Sequence, residues 1–122
     1  MKVPKPTDID RERFGSFVPD RADVEIKPMF GNLGAFVNRN MFMGLFGSDI
    51  GVKLPDADRQ QLLAKPGAGP FGPDERPMSG YVTLPADWPA AKAQRWITSA
   101  YTAAAALPAK PTKPSTSKRR PA

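Results

Sequence analysis

A chain of 122 residues with a formal charge of +6 and neither cysteine nor histidine has room for one domain with a core of its own. The two missing residue types exclude disulfides, zinc held by Cys/His, and any Ser-His or Cys-His nucleophile. No run of 18 apolar residues occurs and the first 14 residues lack a secretory signal's apolar stretch, so no membrane helix is expected and the cytoplasm is the expected compartment.

The charge is local. From Leu107 onward Lys110, Lys113, Lys118, Arg119 and Arg120 meet no acid, which leaves 13 basic against 12 acidic residues in positions 1–106. Residues 1–8 read as a loose arm, 9–107 as the folded domain and 108–122 as a disordered basic tail.

The first element expected is a short amphipathic helix over 9–18, carried by Ile9, Phe14 and Phe17 and weakened by Gly15. "LGAFVNRNMFMGLF" then places two apolar runs around Asn38-Arg39-Asn40, and asparagine tolerates the left-handed backbone of tight hairpins. Strands are expected at about 33–38 and 41–46. "FGSDIG" supplies a turn before a third strand at 50–54. In "PDADRQQLLAKPG", Asp56 is expected to cap a helix with an apolar face of Ala57, Leu62 and Leu63, ended by Pro66-Gly67. "MSGYVTLP" alternates as a half-buried strand. Asp87 is expected to cap the longest helix, with Ala93, Trp96, Ile97, Ala100, Ala104 and Leu107 as its apolar stripe.

Residues 27–47 hold three of the five methionines, four of the seven phenylalanines and four of the ten glycines. Simple alternation sets Met41, Met43 and Leu45 on one face of the hairpin and Phe42 and Phe46 on the other, so both faces are apolar. A sheet covered on one side should show one wet face. One face is therefore expected to be core and the other to be covered by a helix, by the N-terminal arm, by a second subunit or by another partner. The glycines are expected where a backbone bulges or a ring approaches closely.

Chemistry is sparse. "GAGPFG" matches a dinucleotide-binding pattern but follows a helix and contains Pro70, so it reads as a loop. The carboxylates fall at helix starts and in loops, without the burial or like-charged neighbours that would tune a catalytic pair. No catalytic, cofactor-binding or metal-binding residue is identified, and no cofactor is expected.

The ordered pieces Met29-Phe30-Gly31, Met41-Phe42, Lys53-Leu54, Asp58-Arg59 with Leu62-Leu63, Pro70-Phe71, Arg76-Pro77-Met78 and Leu84-Pro85 resemble the TfoX N-terminal-domain family over about residues 24–107. Asn32 stands where the family's opening motif has a second glycine. The resemblance implies a two-layer α+β domain with an antiparallel sheet of about five strands, ordered helix, three strands, helix, two strands, helix. One further strand is then required near residues 71–78. The family takes its name from the Sxy/TfoX regulators of bacterial competence, which look like co-activators rather than enzymes and carry a second domain where this chain has its basic tail.

Two functions follow as expectations. One is a non-enzymatic protein-interaction or transcription-related accessory module, with Arg39, Phe42 and Arg76 as candidate contacts to a protein partner, a transcription regulator among the candidates, or to a second copy. The other is nonspecific nucleic-acid binding through Lys110, Lys113, Lys118, Arg119 and Arg120.

Overall fold

The computed structural model describes residues 5–29, 31–73 and 77–108. Helix α1 spans Asp8–Phe17 and is opened by a reciprocal cap, in which Thr7 Oγ1 accepts from the Asp10 N–H and the Asp10 carboxylate accepts from the Thr7 N–H. Four strands follow: β1 (Val24–Met29), β2 (Asn32–Val37), β3 (Asn40–Phe46) and β4 (Asp49–Lys53). Helix α2 (Asp56–Leu63) leads to β5 (Gly69–Pro70), β6 (Tyr81–Thr83) and helix α3 (Ala90–Ala105).

The six strands form one antiparallel sheet in the order β1-β2-β3-β4-β6-β5. Helix α3 crosses β2, β3 and β4, with α1 and α2 packed beside it, so one face of the sheet carries all three helices. The core between them includes Phe14, Val37, Met43, Val52, Leu62, Val82, Trp96 and Ala100. Burying such side chains contributes roughly 1.5–3 kcal/mol each for the larger ones.

The class is the α+β class expected, with six strands rather than about five. The additional strand is β1. It lies at the sheet edge, carries Pro28, and exposes Glu25, Ile26 and Lys27, so it lacks the apolar alternation that marks a covered strand. The strand expected near 71–78 falls earlier, at Gly69–Pro70, and β6 is confined to Tyr81–Thr83.

Helix ends also differ from expectation. Asp87 does not cap α3 and Asp56 does not cap α2: Pro89 and Pro55 hold those positions without side-chain bonds. Proline sets an extended backbone before each helix, and Asp56 turns to Arg59 instead. Of the expected apolar faces, Ile9, Leu63 and Leu107 are exposed and Ala57 lies at the surface.

The hairpin turn is Asn38-Arg39, both with positive φ (52° and 61°), joining Val37 directly to its partner Asn40. Two left-handed residues match the twist of the flanking strands. Asn38 Nδ2 donates to the Ala105 carbonyl at 3.3 Å and Asn40 Nδ2 donates to the Pro108 carbonyl at 3.1 Å. The turn thus satisfies the carbonyl of the last residue of α3 and that of Pro108 beyond it, which no further helical turn can reach.

A β-bulge decides which side chains face the helices. Ala35 pairs with Met43, but the next residue, Phe36, pairs with Met41, so Phe42 is the extra residue of β3. Phe42 therefore joins Met43 and Leu45 beneath α3, where its ring meets Tyr101 edge-on at 5.7 Å. Met41, Gly44 and Phe46 turn to the opposite face. This corrects the expected alternation, which set Phe42 with Phe46.

Candidate functional site, the open face of the sheet

The face without helices is built on glycine. Gly34, Gly44 and Gly51 are register partners across β2, β3 and β4 and make a floor with no side chains. Flat against it lie Met41, Phe36, Met29 and Phe71. A Cβ added at Gly51 would stand 2.4 Å from two Phe71 ring carbons, and one at Gly44 would stand 2.7 Å from the Met41 Cε.

Phe71 reaches this place from the segment after β5. The Met78 N–H donates to the Phe71 carbonyl at 2.8 Å. The buried ring stacks on Tyr81 at 5.8 Å and meets Phe46 edge-on at 6.3 Å. Of the coverings expected for the second face, neither a helix nor the described part of the N-terminal arm supplies this one among the described residues. A loop and the face's own side chains do.

Tyr81 completes the cluster. Its hydroxyl donates to the Met41 carbonyl at 3.2 Å, a group left beyond the last β3–β4 pair, Met43 with Val52. Burial pushes the Tyr81 hydroxyl up to about 12. Phe36, Met41 and Phe46 remain half-buried, and charged side chains border them: Lys27 over the Phe36 ring at 5.4 Å and 3.5 Å from Glu25, with Asp49 paired to Phe46. Burial raises the Asp49 carboxyl above its ordinary value.

The structure separates the three candidate contact residues. Arg39 is exposed at the hairpin tip. Phe42 is fully buried under α3, so it is no surface contact; the bulge removes it from the open face. Arg76 and the five tail cations lie outside the described residues. Sequence reasoning missed Phe36, Met41 and Phe46 as the half-exposed rim and the buried Phe71 and Tyr81 as its centre. The available signal was one glycine in each of three successive strands.

Several carboxylates elsewhere are engaged by neighbouring side chains. Asp8 pairs with Arg11, Asp56 pairs with Arg59, and Asp58 accepts from Ser99 Oγ. Asp23 accepts from the Tyr101 hydroxyl, which holds the carboxyl low and the hydroxyl high, while Arg21 lies over the Tyr101 ring at 4.5 Å. That trio ties the loop before β1 to α3. Among the described residues no group of three or more Asp or Glu gathers as metal ligands would, and no helix is long and apolar enough to cross a membrane.

Asn32, which replaces a motif glycine, has an ordinary backbone. Its side-chain oxygen accepts from the Gly47 N–H at 2.8 Å, linking the β1–β2 and β3–β4 turns. Comparison with curated proteins and with solved structures finds no match. The family model of the TfoX N-terminal domain matches residues 17–104, a span from the last residue of α1 almost to the end of α3, and the chain belongs to that family.

Proposed function

We propose that this protein is a non-enzymatic interaction module, a transcription-related accessory that holds a partner protein against the open face of its sheet. The carrying observation is that Phe36 and Met41, against the glycine floor, and Phe46, edge-on to Phe71, are all half-exposed and bordered by charges of both signs. Methionine and half-exposed rings adapt to an apolar partner surface, and the border charges set its orientation. The partner that fits presents an apolar ridge flanked by Lys/Arg and Asp/Glu. Membership of a family not known for enzymes supports the same reading, as does the structural employment of the carboxylates.

The test is photo-crosslinking from position 36, followed by affinity measurement with the purified captured protein. Phe36→Asp and Phe46→Asp should each weaken binding at least about tenfold, the equivalent of 1.4 kcal/mol. Unchanged affinity in a folded double variant would overturn the proposal. Crosslinks solely between copies of this chain would identify the partner as a second subunit.

A second reading rests on the five tail cations without an acid. If each meets a phosphate, the slope of log affinity on log salt for a random DNA duplex is about −4.5. Anisotropy with the full chain, and with Lys110, Lys113, Lys118, Arg119 and Arg120 all changed to Gln, decides it. Equal binding by both would remove the tail from consideration.

A further inference from the structure

On the helical side of the domain, α2 ends where α3 begins, and the gap between them is a cleft of about 410 Å³ lined by Lys65, Lys92, Arg95, Trp88, Trp96 and Asp87 together with Pro66. This volume falls within the range of small-molecule sites, roughly 300–1,000 Å³. Neither the sheet face nor the tail contributes to it.

Its three cations are unneutralised. Among the described residues the ion pairs are Arg11 with Asp8, Arg21 with Asp23, Lys27 with Glu25 and Arg59 with Asp56, and none involves Lys65, Lys92 or Arg95. Three positive charges against the single carboxylate of Asp87 leave a net of two on the lining. Like charges gathered in excess over the one carboxylate repel one another, an arrangement that an anion relieves.

Two of the cations are also held in place. Lys92 Nζ lies over the Trp88 ring at 5.1 Å, and the Arg95 guanidinium lies over the Trp96 ring at 4.5 Å while donating to Gln61 Oε1 at 3.1 Å. Both indoles are buried beneath their cations, at 8 % and 3 % exposed, so the rings act as a rigid backing. Long side chains fixed in this way lose less freedom when a ligand arrives.

We propose that this cleft binds a phosphate-bearing ligand. A phosphate monoester carries about −1.5 to −2 at neutral pH, matching the net lining charge, and offers three oxygens to a planar guanidinium and two ammonium groups. The phosphate belongs either to a small phosphorylated molecule or to a nucleic-acid backbone.

The chain's two tryptophans both line the cleft, so their emission reports on it directly. The full chain is titrated with tripolyphosphate and, separately, with a random-sequence DNA duplex, beside the triple variant Lys65→Gln, Lys92→Gln, Arg95→Gln. These three side chains are exposed, and circular dichroism checks the fold. Should the triple variant lose its fold, the single change Lys65→Gln, at a residue that takes part in neither ring contact, repeats the comparison.

A saturable change in emission with tripolyphosphate, weakened at least about tenfold in the variant, supports the small-ligand form. If the duplex alone responds, the variant's log affinity on log salt should flatten by about 2.7, near fortyfold between 50 and 200 mM, which supports the backbone form. Absence of saturable change with either probe overturns the proposal. So does an unaltered midpoint in the variant, since the tail is common to both chains.

Discussion

Replacing Gly51 by alanine adds one methyl group to the centre of the glycine floor. Its Cβ would stand 2.4 Å from the Phe71 Cγ and Cδ1 and 2.7 Å from Cδ2. No side-chain rotation relieves a clash with three atoms of a ring stacked between Tyr81 and the sheet, so Phe71, at 2 % exposed, must leave. Losing that burial costs about 1.5–3 kcal/mol, and alanine in a strand returns about 0.5–1 kcal/mol relative to glycine. The net expectation is a loss of roughly 1–2 kcal/mol, or about 5–15 °C in Tm for a domain near 100 residues. Urea unfolding followed by circular dichroism measures it, and a double-mutant cycle identifies the cause. Phe71→Ala alone should cost about 3–5 kcal/mol. In that background Gly51→Ala should become neutral or stabilising by up to about 1 kcal/mol, because the obstructing ring is gone. If the two changes add within about 0.5 kcal/mol, or if Gly51→Ala alone costs nothing, the ring does not lie where the floor argument puts it.

Gly44→Ala should cost less than Gly51→Ala in the same assay, since its nearest obstacle is the mobile Met41 methyl and the Phe71 ring stands back at 3.2 Å. Gly15→Ala should stabilise by about 0.5–1 kcal/mol, because an added Cβ in α1 meets nothing within 4 Å. Asn40→Ala should cost about 1–2 kcal/mol and speed amide exchange in the last turn of α3, since it removes the bonds to the Asn38 and Pro108 carbonyls. For Tyr81 the folded state holds the hydroxyl proton up to about 12 against an ordinary value near 10. Its contribution is therefore complete below pH 10 and is lost between about pH 10 and 12, by roughly 2–3 kcal/mol. Tyr81→Phe should remove that part of the alkaline decline, which pH-dependent urea unfolding would show, while costing about 1 kcal/mol at neutral pH.

The elements legible in the sequence were those whose period matched their burial. The stripe Ala93, Trp96, Ile97, Ala100 and Ala104 gave α3, and all five are buried. The turn at Asn38-Arg39 was legible because asparagine marks left-handed backbone. Strand β1 was not, because an edge strand buries little and Glu25, Lys27 and Pro28 carry no period-two signal. The bulge at Phe42 was also hidden: an inserted residue in an all-apolar strand shifts the alternation without changing composition. For the open face, the sequence showed that both sides of the hairpin were apolar, yet the cover came from Phe71, outside the hairpin and separated from Gly51 by α2. The cleft escaped because Lys92 and Arg95 read as an ordinary solvated helix face; only the approach of α2 brings Lys65 to them.

The glycine floor bears on how thin a protein layer can be. A second sheet would pack about 10 Å away, and a helix at a similar distance. Each needs its own stretch of chain, its own caps and its own solvent face. Rings and thioethers lying flat at van der Waals separation, about 3.5–4 Å, seal the same surface within the thickness of one aromatic ring. Two layers of unequal depth result: a helical one on one side of the sheet and, on the other, a veneer of Phe36, Met41 and Phe71 with Phe46 edge-on at its margin. A veneer has no backbone of its own over most of its area, so it can be reshaped by rotamer changes alone.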